Sequence, residues 1–176
     1  MVSKAVNFNQ LFLILLKLIT ILKEKGIKLP SYKEKFMIKS FSFKNGDIIP
    51  TKYTPYDIDI HPSFYWYGFP KETKSFAIIC EDPDTPSGKI FTHWIVKNIP
   101  ANVISIEEGE NIGEEIKNSW GIKRYKGPKP PNGKHRYFFR IYAFKEEKLN
   151  ENNMKGIKKE IENKKIGEAF IMGTFG

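Results

Sequence analysis

The chain has a single cysteine, Cys80, in 176 residues. One thiol excludes an intramolecular disulfide framework and a cysteine-based zinc site, which would need further thiolates or a cluster of histidines. Only three of the 29 basic residues are arginine, so the net charge of +9 comes from lysine. A Gly-rich phosphate loop and a G-x-S-x-G nucleophile elbow are both missing. The sequence therefore carries no standard motif for nucleotide binding or serine hydrolysis.

What the chain does have is enough apolar surface for one domain. Its length corresponds to a single domain, and 40% hydrophobic and 14% aromatic residues argue against whole-chain disorder. The basic balance indicates anionic partners such as nucleic acid, phosphate groups or acidic lipid. Because no arginine-rich or aromatic-interleaved stripe accompanies it, we do not expect specific binding of nucleic acid.

Residues 1–30 differ in character from the rest and predict one basic, amphipathic helix. The segment 8–22 is almost wholly apolar, and Gly26 and Pro30 follow as stop signals. Its apolar run is shorter than the ~20 residues of a membrane span, and no small-residue cleavage site follows it. The helix could pack on the domain or on a second copy, lie on an acidic membrane surface, or act as an uncleaved signal or anchor. We expect a cytoplasmic protein, with membrane association through residues 1–30 as the alternative.

Short runs of β-branched and aromatic residues follow, with Gly and Pro about every ten residues. This pattern predicts a mainly β domain over residues 31–176, with the strands of a sandwich or barrel. The predicted strands are 36–43, 48–53, 64–67, 75–80, 91–98, 137–144 and 169–174. The charge-rich segment 145–165 predicts a solvated surface helix, with Leu149, Met154, Ile157 and Ile161 at near-helical spacing.

Two of the three histidines, His93 and His135, each follow a turn that contains proline. Asp82 and Asp84 bracket a proline after an apolar strand, and His93 opens the next strand. A hairpin-like return would place Asp82 and His93 at the same end of the sheet. A stiff loop rich in proline and glycine delivers His135 at the start of a later strand. Imidazole N–H groups, loop amides and a carboxylate that orients a histidine predict a pocket for a small anion.

Other interpretations of these residues stay open from the pattern alone. A strand histidine can be an ordinary core residue, and the aspartate turn can be plain turn chemistry. Asp82, His93 and His135 could form a metal triad, but no short-spaced ligand pair accompanies them, so we expect no metal. Two hydroxyl side chains lie near His93 in the sequence, but no nucleophile-elbow motif contains them, so we do not expect a serine-type nucleophile. Cys80 ends an apolar strand, where its thiol should be inert. Trp66, Trp94 and Trp120 are expected in the core or the pocket wall.

Taken together, the motifs resemble a known family. The segment DPDTPSGKIFTHWIVKNIP precedes NSWGIKRYKGPKPPNGKHRYFFRIYAF, with DIDIHPSFYWYGFPKETKSFAII upstream and IMGTFG at the end. Together they resemble the phosphatidylethanolamine-binding protein family, also called the Raf kinase inhibitor protein family, in its short prokaryotic branch. The resemblance covers residues 34–176. It implies a β-sandwich with a Greek-key large sheet, a smaller sheet and a few peripheral helices.

The resemblance also implies a non-catalytic protein without cofactor or metal. Its expected ligand is phosphate or a phosphorylated head group, and its expected protein partner is a kinase or a serine protease. The implied ligand-binding residues are Asp82, Pro86, His93, Gly127, Pro130, Pro131, His135 and Tyr137. Two positions depart from the family pattern: His61 precedes Pro62, and Lys129 lies in the proline-rich loop. The alternative is a hydrolase or phosphotransfer enzyme in which His93 and His135 act as acid and base and Asp82 orients one of them.

Overall fold

The computed structural model describes Ile21 and residues 35–176. Apart from Ile21, the helix predicted over residues 1–30 lies outside the described residues. Glu34–Gly176 form one compact unit. Within the described part of the chain, no helix has the length and apolar character needed to cross a bilayer.

Two antiparallel sheets build the domain. In the described residues the strands are β1 Met37–Lys39, β2 Phe64–Tyr67, β3 Ser75–Asp82, β4 Phe91–Pro100, β5 Ser105–Ile106, β6 Glu114–Glu115, β7 His135–Phe144 and β8 Lys165–Phe175. The small sheet has the order β1-β2-β5, and the large sheet has the order β6-β4-β3-β7-β8. In the large sheet β3, β4 and β6 are successive neighbours, and β7 returns to the free side of β3, which is a Greek key. The predicted mainly β sandwich with a Greek-key large sheet is confirmed.

Two of the strand predictions need correction. The strand expected over 36–43 is limited to Met37–Lys39, and the strand expected over 48–53 does not form. Pro50 has no N–H to give to a ladder, and its carbonyl instead accepts from the amide of Tyr53, closing the 3-10 turn Thr51–Tyr53. Ile48, 64% exposed, keeps a single parallel bridge to Thr174. The short strands β5 and β6 were not predicted, because two residues are too few to show a period.

The charged segment 145–165 forms a helix that is shorter and less solvated than predicted. The helix α1 is Met154–Lys164, with the side chain of Asn153 capping its start by accepting from the amide of Gly156. Ile157 and Ile161 are fully buried against the outer face of the large sheet. The prediction of a purely solvated surface helix was therefore wrong, because two isoleucines one turn apart suffice to hold an otherwise charged helix on the sheet.

The main core lies between the two sheets and is rich in aromatic rings. Trp66 and Trp94 belong to it, as do Phe64, Phe76 and Phe139. Trp120 differs, being 42% exposed, and its ring lies edge-on to His93 at 4.8 Å between centroids. The expectation that the tryptophans serve as core or pocket wall is confirmed for the first two as core, and Trp120 lies beside a candidate site histidine.

One lysine of the core was not anticipated. Lys97 on β4 is almost completely buried, and its ammonium donates to the Leu149 carbonyl at 2.8 Å and to Asn152 Oδ1 at 3.0 Å. The carboxylate of Glu114 lies 3.5 Å away. An ammonium has three N–H donors, so these acceptors satisfy a charge that would otherwise be costly to bury. Lys97 thereby ties the loop before α1 to the sheet.

Candidate functional site

The candidate site lies where β3 ends and β4 and β7 begin. Asp82 pairs with Phe91 across β3 and β4, and Glu81 pairs with Phe138 across β3 and β7, so these strand ends share one edge of the large sheet. Strand alternation sends every second side chain toward the small sheet. Asp82 therefore faces the same side of β3 as the core residue Cys80. His135 and Tyr137 face the same side of β7 as the core residue Phe139.

His93 reaches the same side through an irregularity of β4. The register of β3 and β4 shifts between Cys80 and Glu81, which pair with Trp94 and Thr92 and so leave His93 as the extra residue. Thr92 faces α1, since its hydroxyl accepts from Lys158 Nζ at 2.7 Å, whereas Trp94 lies in the core between the sheets. A β-bulge of this kind re-aims one side chain. The ring of His93 consequently lies edge-on to Tyr137, with 5.1 Å between centroids.

Asp82 and His135 form a buried pair. His135 Nδ1 lies 2.8 Å from Asp82 Oδ2, and because an ionised carboxylate only accepts, the imidazole nitrogen is the donor. The other carboxylate oxygen of Asp82 accepts from the backbone N–H of Asp84 at 2.8 Å. A neutral ring has one N–H, so this contact leaves His135 Nε2 without a proton in the neutral form.

His93 is fixed in the same way by the proline-rich loop. Its Nδ1 donates to the carbonyl oxygen of Lys126 at 2.6 Å, and the amide of Lys126 donates to the carbonyl of His93 at 3.2 Å. Burial lowers the pKa of His93, and the carbonyl contact and the charge of Asp82 oppose that shift. The neutral ring therefore presents its Nε2 as an acceptor. The expectation that neutral imidazoles donate to the ligand is wrong, because the Nδ1–H of each neutral ring is already donated to an acceptor within the protein.

The hydroxyl of Tyr137 is the uncommitted donor beside these rings. It is buried and has no hydrogen-bond partner among the described residues, although a buried tyrosine hydroxyl normally finds one. Burial, followed by the negative charge of Asp82, raises its pKa far above the ordinary value. The group consequently keeps its proton at neutral pH. Asp82, His93 and His135 are each only 3–4% exposed, so only a small ligand group can approach them.

Two residues that the sequence interpretation missed hold the proline-rich loop in place. Asp59, in the left-handed conformation, accepts from the amide of Gly127 and from Lys126 Nζ, both at 2.7 Å. Asn118 donates to the carbonyls of His93 and Arg124 and accepts from the amides of Trp120 and Ile122. Asp59 lies in the motif DIDIHP and Asn118 in the motif NSWG. In each case, a polar residue beside a turn is the sequence feature that could have indicated this role.

Asp84 fastens the turn after β3 to the start of β7. Its carboxylate accepts from Arg136 Nη2 at 2.6 Å, from Nε at 2.8 Å and from the backbone amide at 2.9 Å. This bidentate pairing lowers the pKa of Asp84 to about 2. The side chain of Asp84 therefore stays charged throughout the physiological range and holds Asp82 and His135 in register.

The remaining predicted site residues occupy the surrounding loops. Gly127 is buried, Pro130 is half-buried, and Pro86 and Pro131 are exposed. Their contact with a ligand stays a prediction. Of the two departures from the family pattern, His61 stacks on Trp94 with 4.5 Å between ring centroids, and the ammonium of Lys129 lies 5.7 Å from the ring of Tyr56.

The groups considered for metal binding and covalent catalysis are otherwise engaged. Within the described ranges, no set of three His, Cys, Asp or Glu side chains is arranged to hold a metal ion. The hydroxyls of Thr85 and Ser87 lie 3.0 Å apart, and that of Thr85 also donates to the carbonyl of Lys89. Cys80 is buried, and burial raises the pKa of its thiol well above the usual value, which matches the prediction of an inert cysteine.

Comparison with known proteins gives the family. The sequence model for phosphatidylethanolamine-binding protein matches residues 39–176. The chain belongs to this family. A UPF0098 protein of Methanothermobacter thermautotrophicus is 42% identical over 113 residues, which are 60% of this chain and 74% of the relative. A UPF0098 protein of Aquifex aeolicus is 37% identical over 147 residues, which are 77% of this chain and 85% of the relative. These archaeal and bacterial relatives confirm the prokaryotic-type branch.

Solved structures confirm the fold of the family. A crystal structure of a phosphatidylethanolamine-binding protein homologue from Chlamydia trachomatis superposes with a TM-score of 0.76 at 32% identity, covering 81% of this chain and 97% of that one. YbcL of Escherichia coli, a member of the same family, superposes with a TM-score of 0.75 at 27% identity, covering 81% of this chain and 98% of YbcL.

Proposed function

We propose that the protein is a non-catalytic binding protein whose cluster of Asp82, His93, His135 and Tyr137 takes a small anion. The ligand is phosphate or a phosphorylated or carboxylate head group. One observation carries the proposal: the unpartnered buried hydroxyl of Tyr137 lies beside a histidine ring whose Nδ1 is already bonded. Occupancy of the cluster would then adjust the binding of a protein partner, for which the family resemblance favours a kinase or a serine protease.

The protonation states of the cluster favour a ligand with both donors and acceptors. When both rings are neutral, the Nε2 atoms of both histidines accept, and the hydroxyl of Tyr137 donates. A hydrogen phosphate group has an O–H to give and several oxygens to accept with. When a ring gains a second proton, its Nε2 becomes a charged donor, and charge-assisted hydrogen bonds are about twice as strong as neutral ones. Binding of a fully ionised anion should therefore strengthen as the pH falls.

We expect sulfate to bind at least about tenfold more tightly at pH 5.5 than at pH 8, which corresponds to ~1.4 kcal/mol. Sulfate keeps its charge over this range, so its pH dependence reports the protein alone. Isothermal titration at constant ionic strength measures the effect, with phosphate as the second probe. The lowered pKa of His93 means that the anion-free protein loses stability as pH falls below the ordinary histidine value of about 6.5. Added sulfate should oppose that loss in thermal melting.

Two variants and one matched control make this test specific. His135→Ala removes a ring, and Tyr137→Phe removes a hydroxyl that bonds to no described residue, so the latter should keep the fold and still weaken sulfate binding. Tyr142→Phe is the control, because Tyr142 lies on the same strand but packs on the opposite face of the sheet. Equal sulfate affinity in the wild type, His135→Ala and Tyr137→Phe would refute the anion site. Turnover of a chromogenic phosphoester that is lost in His93→Ala would favour the enzymatic alternative.

We also propose a cytoplasmic location, with a peripheral membrane contact through residues 1–30 as the alternative. A single buried cysteine is compatible with a reducing compartment, and the proposed function needs no cofactor. Cell fractionation of the full chain beside a chain lacking residues 1–30 distinguishes the two locations. We expect both chains in the soluble fraction. Recovery of the full chain alone with the membranes would instead support the peripheral contact.

A further inference from the structure

An open groove borders the outer strands of the two sheets, away from the histidine cluster. β1 is an edge strand of the small sheet and β8 an edge strand of the large sheet. The groove has a volume of about 820 Å³ and is lined by residues of both strands and of their flanking segments. Its volume lies in the range of ligand sites in proteins, roughly 300–1,000 Å³.

Among the described residues, part of the outer edge of β8 has backbone hydrogen-bonding groups without a backbone partner. Toward its end the edge is covered: Met172 O accepts from Gly46 N at 2.7 Å, and Thr174 N donates to Asp47 O at 2.9 Å. Successive residues of a strand alternate the edge to which their N–H and C=O point. The backbone groups of Glu168 and Phe170 therefore point to the same outer edge, where the described residues give them no backbone partner.

Among the residues that the structure describes, the groove is lined by more basic than acidic side chains. Its lining carries Lys35, Lys39, Lys44 and Arg140 against one acid, Glu168. Glu168 is already paired with Lys165 at 2.6 Å. In the described part of the chain, the four basic groups of the groove form no salt bridge, whereas Arg136 on β7 and Lys158 on α1 are paired with Asp84 and Glu81. The charge of the groove is thus available to an acidic partner.

Exposed aromatic surface accompanies this charge. Phe170 is 51% exposed, and the guanidinium of Arg140 lies over its ring at 5.4 Å and over that of Phe138 at 4.9 Å. These cation–π contacts hold the guanidinium in place on the sheet face. Phe36, Ile38 and Ile171 border the groove from the core, where they are at most 9% exposed. An incoming strand could therefore place acidic side chains near the basic groups and apolar side chains on the exposed ring of Phe170.

We propose that the outer edge of β8 at Glu168 and Phe170 accepts an extended acidic segment of a partner protein as an added strand. Main-chain hydrogen bonds would supply affinity, and the basic side chains would select acidic sequences, as in other cases of strand addition. A second copy of the chain fits poorly, because a two-fold pairing would bring the same uncompensated lysines and Arg140 together. The surface is separate from the histidine cluster, so the two proposals can fail independently.

The test uses the full chain and a fluorescent heptapeptide of alternating glutamate and valine. We expect binding in fluorescence anisotropy that weakens with salt, together with slowed amide hydrogen exchange at Glu168 and Phe170. A lysine–valine peptide, and the acidic peptide N-methylated at alternate amides, should bind at least tenfold more weakly. Equal binding of the N-methylated peptide would overturn the added strand. So would tighter binding of an acidic oligonucleotide, or an edge-to-edge dimer in sedimentation.

Two pairs of variants locate the surface. Phe170→Pro removes the outward N–H without removing a ladder bond to β7, which an edge strand tolerates, and should weaken the peptide at least tenfold. Phe170→Ala, which keeps the N–H, should weaken it less than threefold. The double variant Lys39→Glu with Arg140→Glu should abolish binding. Lys155→Glu with Lys159→Glu, an equal charge change on the exposed face of α1, should change it less than twofold. Equal losses in both double variants would reduce the effect to general charge and refute the site.

Discussion

Replacing Gly127 by alanine is expected to detach the proline-rich loop from the site and to weaken sulfate binding at least tenfold. A Cβ built on Gly127 would overlap the carbonyl oxygen of Tyr53 and lie 2.7 Å from the Cα of Thr54. Both obstacles are backbone, which cannot rotate away as a side chain can. The loop would have to move, and its bonds to Asp59 and His93 would break. We expect a stability loss of about 2–3 kcal/mol in urea unfolding.

Gly133→Ala is the matched control within the same loop. Gly133 has a φ of +61°, and an added Cβ there meets nothing within 4 Å. Its substitution costs only the left-handed conformation, about 1 kcal/mol, and should leave the loop attached. Sulfate affinity close to wild type is therefore expected for Gly133→Ala. Equal losses of sulfate binding in both variants would contradict the argument that the close approach of Gly127 to Tyr53 positions the loop.

Replacing Trp94 by alanine is expected to cost about 3–5 kcal/mol of unfolding free energy, as is usual for a large buried aromatic ring. Trp94 is 2% exposed, stacks on His61 and donates from Nε1 to Glu115 Oε1 at 2.8 Å. Truncation would leave a cavity beneath the neighbouring His93. Urea unfolding monitored by circular dichroism gives the change in free energy without relying on the deleted fluorophore.

Trp120→Ala provides the comparison, since this ring is 42% exposed and contacts Phe91 and His93 from the surface. We expect it to cost about 1 kcal/mol, within the range of ordinary substitutions. Comparable losses of unfolding free energy for the two tryptophans would contradict the argument that the burial of Trp94 makes its loss the larger one.

Strand alternation explains how much of the site could be predicted from the sequence. Asp82 ends an apolar strand, and His135 and Tyr137 are two residues apart on another, so a period of two is enough to bring them to one face. His93 could not be placed in this way, because its orientation depends on the bulge opposite Cys80 and Glu81. The wrong assignment of the histidine donors has a similar origin: the acceptor of His93 is a backbone carbonyl 33 residues away.

The rest of the fold departs from the prediction where contacts distant in sequence decide the structure. The segment 48–53 has strand-like residues, yet Pro50 diverts it into a turn. Lys97 has the character of a surface lysine, but Leu149 and Asn152 surround its ammonium with acceptors from residues more than 50 positions later. Asp59 likewise acts on Gly127 across 68 residues. Local patterns carry no information about such pairs.

The bulge in β4 has a consequence for how the strand tolerates changes in length. Because His93 is the extra residue at the bulge opposite Cys80 and Glu81, it lies on the core side of the strand with Trp94, while Thr92 faces α1. Deleting a single residue there would restore plain alternation. The strand could still pair and the core could still form, while β4 would then place no histidine beside Tyr137. In this domain, the residue count of β4 is thus a determinant of the site in its own right, independent of which residue types the strand contains.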